Sequence, residues 1–267
     1  MRQLAICALA WIGLSDLAWG QQGPTPIAKG IQDNSFLIEE AYNQEAGVVQ
    51  HIGSFRRQGK DRFFSFTQEL PLGSQAHQFS WSLPYAWLHD DIVGDVGRLG
   101  AVQLSYRYQA LTESALLPAF APRVSLILPT EDPKSELGNG GLQFALPFSK
   151  IVADRVTLHA NASLTTFFDV QGRQTTSYIL GGSVVYALSR ETNLLFETVA
   201  EWIESVGPAR DLERNFALLL VPGIRHAFNL PDDAQLVVGL GAPIRFTEGN
   251  PDYGVLFYMS LEHKFLR

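Results

Sequence analysis

Cysteine is almost absent from this chain of 267 residues; Cys7 is the single one. It lies in an apolar run, Leu4 to Leu14, that follows Arg2 and precedes Ala18-Trp19-Gly20, a small-x-small cleavage site before Gln21. Those parts have the anatomy of a secretory signal peptide over residues 1–20, so the exported chain is expected to carry no cysteine. Disulfides, thiolate metal sites and a cysteine nucleophile are then excluded. Long apolar runs are missing too. The leader is shorter than the ~20 residues a spanning helix needs, and no later window approaches that length. Positive charge is scarce: 20 Lys and Arg face 27 Asp and Glu, a net charge of −7, with no basic stripe. Nucleic acid is therefore not an expected partner.

Motifs for chemistry are also lacking. The six histidines are scattered without H-x-x-x-H or H-E-x-x-H spacing, which argues against zinc. No G-x-S-x-G elbow is present. His226 and His263 read as outward-facing residues near strand ends, and His159, on the parity of Asn161, as an inward hydrogen-bonding group. No enzymatic activity, cofactor or metal is expected.

What the chain does have is alternation. From Asp252 to Phe265, Tyr253, Val255, Phe257, Met259 and Leu261 fall on one parity, and Gly254, Leu256, Tyr258, Ser260 and Glu262 on the other. The segment is longer than an ordinary globular strand of about 5–6 residues and suits a tilted membrane strand of roughly 9–11. Similar stretches recur at 48–57, 62–70, 77–87, 99–110, 121–128, 142–148, 156–168, 178–188, 194–204, 216–228 and 236–246. That makes twelve strands with polar turns between them, and Trp81, Tyr85, Trp87, Tyr106, Tyr108, Tyr186, Trp202 and Tyr253 placed as interface aromatics. The expected fold is an all-β transmembrane antiparallel barrel over residues 47–267, with a lead-in or small plug at 21–46. An even strand number puts both termini on one side, the periplasmic one. Leu88–Gly97 and Thr130–Gly138 are expected as outer loops, and Ser149–Asp154, Ser189–Asn193 and Asn229–Asp233 as tight turns at the other end. A soluble sandwich or small barrel also alternates, but its strands are shorter.

Charges on the lipid face cost about 2–4 kcal/mol at midplane. Arg107, Arg123, Glu197, Glu201, Arg225, Arg245 and Glu262 are therefore expected in the lumen. There they form either a selective constriction or a structural network of paired charges. Asp33, Glu39, Glu40 and Glu45 precede the first strand, either as a plug meeting those arginines or as a periplasmic lead-in. The loop pairs Asp90-Asp91 and Glu131-Asp132 could bridge lipopolysaccharide through divalent ions, but they have no EF-hand spacing and read more simply as solvated charges.

The opening of the exported chain reads Ile31-Gln32-Asp33-Asn34-Ser35-Phe36-Leu37-Ile38-Glu39-Glu40-Ala41-Tyr42-Asn43-Gln44-Glu45-Ala46-Gly47-Val48-Val49-Gln50-His51-Ile52. This block resembles the N-terminal signature of the phenol-degradation meta-pathway transporter family of outer-membrane barrels. The resemblance implies a bacterial outer-membrane location and passage of small aromatic or other hydrophobic compounds. It brings no catalytic motif. Outer-membrane barrels commonly end on an aromatic residue read by the assembly machinery. Phe265 in Leu261-Glu262-His263-Lys264-Phe265 is similar to that signal, although Leu266 and Arg267 follow it. Expected partners are outer-membrane lipids and lipopolysaccharide, the barrel-assembly machinery and a small solute. The competing expectation is a non-conducting structural or interaction barrel.

Overall fold

The computed structural model describes residues 31, 35–90, 94–130 and 139–265. The expected signal, Asp33, Asp91, Glu131, Asp132, Leu266 and Arg267 lie outside them. The strands are β1 (Val48–Gln58), β2 (Asp61–Leu72), β3 (Ser74–Asp90), β4 (Gly94–Leu99 with Gln103–Tyr108), β5 (Ala119–Phe120 with Arg123–Ile127) and β6 (Gly141–Ala153). They continue as β7 (Val156–Val170), β8 (Arg173–Ala187), β9 (Thr192–Val206), β10 (Leu212–Asn229), β11 (Gln235–Gly241 with Ile244–Phe246) and β12 (Asp252–Lys264). Each pairs antiparallel with its neighbours, and β12 returns to β1 from Val48↔Lys264 to Gln58↔Gly254. The result is a closed barrel of twelve strands. Closure matters because a backbone N–H or C=O facing hydrocarbon has no water to bond, and a barrel has no free edge.

The side-chain period of two decides what each face meets. Along β12, Val255, Phe257 and Met259 are 57, 41 and 44% exposed, while Leu256, Tyr258 and Ser260 between them are 1, 0 and 1%. The same alternation sets Phe144, Leu146, Leu180 and Leu240 on the outside. Aromatics bound this apolar band on both rims. Tyr85 and Trp87 pack at 4.6 Å, and Trp202 and Phe216 at 5.3 Å, on the rim away from the termini. His77 and Tyr108 pack at 5.4 Å, their rings tilted by 32°, on the rim where β1 begins and β12 ends.

Ser189–Asn193 and Asn229–Asp233 are tight turns on the termini rim, but other connections depart from expectation. Much of Leu88–Gly97 is strand, with Tyr85↔Leu99 and Leu88↔Val96 in register. Ser149–Ala153 likewise belongs to β6. Tight turns are not confined to one rim: Gly59 (φ 58°) closes the β1–β2 hairpin and Gln171-Gly172 (φ 51° and 83°) the β7–β8 hairpin, both on the far rim. Gln109–Pro118, on the termini rim, is a long connection. Turn length here follows local left-handed residues, which match strand twist, rather than the side of the barrel.

One prediction tests the outward face. Leu180→Arg at the middle of β8 should destabilise the barrel by about 2–4 kcal/mol in urea titrations from lipid vesicles, whereas Lys60→Glu in the far-rim turn should leave it unchanged. Equal effects would mean that Leu180 does not face hydrocarbon.

Candidate functional site

The lumen has two walls of opposite character. From β2 to β7 the inward residues in the half nearer the termini are mostly polar, and hydroxyls pair across strands, as in Thr67 with Ser82 and Ser105 with Ser125, both at 2.8 Å. From β8 to β12 they include an apolar patch of Ile179, Val199, Leu219, Val221, Val237 and Leu256, all buried, beside the buried charges Glu197, Arg225 and Glu262. The segment 35–46 crosses between these walls before entering β1. It forms neither helix nor strand, so its backbone donors need acceptors from the wall. Glu197 accepts from the Phe36 and Leu37 N–H groups at 2.6 and 2.9 Å. Ser149 takes Ala41 N–H at 2.8 Å, Gln109 takes Asn43 N–H at 3.0 Å, and Gln78 takes Gln44 N–H at 2.7 Å. These acceptors stand on β3, β6 and β9 and just past the end of β4, on separate parts of the wall, which places the segment inside the barrel.

Its side chains match the wall each one faces. Phe36 is fully buried, 5.7 Å from the Tyr258 ring. Its socket is cut from glycine: a Cβ at Gly223 or Gly239 would overlap the Phe36 ring, and one at Gly241 would press on it at 3.2 Å. Gly181 makes room for Ile38 in the same way. Glycine within a strand weakens it, so a cluster there marks a close approach.

On the polar wall, the Glu39 carboxylate lies 3.2 Å from Arg123 Nε and 3.8 Å from Arg107, all three side chains at most 3% exposed. Arg107 also donates to Asn43 Oδ1 at 2.6 Å and to the Tyr42 carbonyl at 2.9 Å, and Arg123 to Gln143 at 2.8 Å. Glu40 meets His159 Nε2 at 3.2 Å. Ser149, which already accepts Ala41 N–H, gives its proton to His159 Nδ1 at 2.8 Å. The hydrogen on the ring therefore sits on Nε2 and points at Glu40. Burial pushes the Glu39 carboxyl up, against the pull of Arg123 and then Arg107. Burial, with the acceptor Glu113 at 2.6 Å, also raises the Tyr42 phenol.

Toward the far rim, a cavity of about 40 Å³ remains above Phe36 and Ile38, lined by Phe63, Ile179, Val199, Leu256, Arg56 and Glu201. Arg56 lies over the Phe63 ring at 4.9 Å, and Arg245 is 3.8 Å from Glu201. That space holds only a few waters, each needing roughly 10–15 Å³. Beyond it, Phe63, Leu88, Ala101, Ile127, Phe167 and Val206 form one apolar cluster.

Arg107, Arg123, Glu197, Arg225 and Glu262 are thus buried in the half of the barrel nearer the termini, and Glu201 in the other half with Arg245, which is partly exposed. Arg107 and Arg123 come together on Glu39, and Glu197 holds the segment's backbone. Glu45 is exposed and outside this network. Phe265, 44% exposed, donates its N–H to the Gly47 carbonyl at 2.9 Å and extends the β1–β12 seam. Phe36, its glycine socket and Arg56 escaped the sequence reading. The one available signal was the run of mid-strand glycines at 181, 223, 239 and 241.

No family model and no curated protein matches the chain. Solved structures do. The COG4313 outer membrane channel from Pseudomonas putida F1 superposes with a TM-score of 0.62 at 12% identity, over 84% of this chain and 97% of that one. The NanC porin superposes with a TM-score of 0.52 at 8% identity, over 79% and 98%. At these identities the likeness is one of fold: this chain has the twelve-stranded barrel architecture of outer-membrane channels.

Proposed function

We propose that the protein is a gated passage for small apolar solutes, aromatic ones included, across a bacterial outer membrane, with segment 35–46 as its gate. The observation that carries this reading is the fit of the segment. An amphipathic stretch without secondary structure lies between an apolar and a polar wall, its ring in a socket that glycines keep open. Such a plug is seated by non-covalent contacts, which can be broken and remade. Its departure would expose an apolar wall for a hydrophobic solute and, opposite it, a polar wall for water. Support comes from the resemblance at residues 31–52 and from a structural neighbour that is described as an outer membrane channel. In this reading both termini face the periplasm. Arg107, Arg123 and Glu197 hold the gate when it is shut and line the passage with Arg225, Glu201, Arg245 and Glu262 when it is open. The chemistry is diffusion, with no cofactor. The filled lumen favours a second reading, a non-conducting barrel that meets lipids or partners from its surface.

Planar-bilayer recordings separate the two. Gly239→Val, which puts a branched side chain where the Phe36 ring sits, should raise open probability and liposome uptake of toluene-sized solutes while the barrel stays folded by heat-modifiable gel mobility. Persistent silence in this variant and in a chain lacking residues 35–46 would leave the non-conducting barrel as the better account.

The gate should also respond to pH. Released into water, the Glu39 carboxyl would regain its ordinary range near 4.5, whereas seated it titrates higher. Seating is then favoured most below the ordinary value and loses that contribution as pH rises through the higher one. Openings should be rarer at acid pH than at neutral pH, and Glu39→Gln should flatten this dependence. A variant as pH-sensitive as the wild type would remove Glu39 from the gate's response.

A further inference from the structure

Outside the lumen, one cluster of polar side chains lies on the outer wall. His51 on β1 and His263 on β12 occupy diagonal outward positions across the closing seam, where His51 pairs with Leu261 and His263 with Val49. Their rings stack at 5.3 Å with an interplanar angle of 20°, and the two Nε2 atoms are 3.2 Å apart. Trp81 Nε1 donates to Gln68 Oε1 at 2.9 Å, and the Gln68 amide meets His51 Nδ1 at 3.2 Å. His263 Nδ1 lies 3.0 Å from the Lys264 carbonyl. Only one assignment satisfies every group. His263 carries its hydrogen on Nδ1, and its Nε2 lone pair accepts the Nε2–H of His51.

We infer that His51 and His263 form a transition-metal site, for zinc or a similar nitrogen-seeking divalent ion, that staples the first strand to the last. Two Zn–N bonds of 2.0–2.1 Å at a tetrahedral angle set the nitrogens about 3.3 Å apart, close to the spacing found. His263 is already in the ligating tautomer, with its other nitrogen held by a carbonyl, as metal-bound histidines usually are. For His51, the hydrogen moves through solvent from Nε2 to Nδ1, and Gln68 turns its carbonyl oxygen to accept it. No net proton is released and no redox change occurs. Both rings are half-buried and lie near the strand ends at the termini rim, where water can fill the remaining coordination positions. Among the described residues no group of three or more His, Cys, Asp or Glu converges, so the protein supplies two ligands only. Imidazoles rather than carboxylates make that pair selective for zinc, copper or nickel over calcium and magnesium.

The test uses the purified full-length protein in detergent, with zinc chloride as probe and chelator as reference. Zinc should raise the temperature at which the heat-modifiable band converts, because an ion bound only to the folded seam stabilises it by mass action. Equilibrium dialysis should find one zinc per chain. His51→Asn and His263→Asn should each abolish both effects, while His77→Asn, on the same rim, should keep them. Gln68→Glu should bind zinc more tightly, by about tenfold or more, because a carboxylate accepts from both Trp81 and the ligating His51. That gain distinguishes metal binding from a seam held only by a hydrogen bond. No zinc retained by the wild type, or retention unchanged in both histidine variants, would overturn the assignment.

Discussion

Every strand of this barrel has a partner on both edges, and that closure sets the terms for everything inside it. A sheet facing hydrocarbon cannot leave backbone groups unbonded, so β12 must find β1 again across the full length of the chain. Closing twelve strands fixes a bore wider than side chains from the wall alone can fill, since eight strands already suffice for a filled interior. The protein fills the excess with its own chain. The segment has no regular hydrogen bonds, and its donors are taken up by Glu197, Ser149, Gln109 and Gln78 on the surrounding strands. Wall and plug thus solve the same accounting problem at two radii.

The division of the lumen follows from this. A plug built of Ser35-Phe36-Leu37-Ile38-Glu39-Glu40 needs an apolar side for Phe36 and Ile38 and a cationic side for its acids. The barrel supplies the first from β8 to β12 and the second from Arg107 and Arg123. Buried ion pairs add little net stability against well-packed apolar residues. Their value here is that they fix which way the segment lies. The apolar contacts hold it, and the charges orient it.

Strand number and face were legible because period two survives in every stretch, from Trp81-Leu83-Tyr85-Trp87 to Val255-Phe257-Met259. Inward charges could be named because an outward charge is so costly at midplane. Loop lengths were less legible, since Gly59 and Gln171-Gly172 make tight turns wherever they fall. Contacts across the lumen or the seam were hidden for a different reason. Phe36 meets Gly223 and Gly239, and His51 meets His263, through closure rather than through any spacing in sequence. A histidine pair of this kind has no motif to find. The glycines did carry a signal, but a glycine in a strand announces only that something comes close, not what.

The position of the Phe36 socket bears on the order of events in the molecule's history. The segment precedes all twelve strands in the chain. Its socket comes from β10 and β11, nearly two hundred residues later. Until those strands are laid beside β12, the ring has nowhere to go. The ring can be seated only once those strands are in place. Seating of the segment thus waits on strands that are among the farthest from it in sequence.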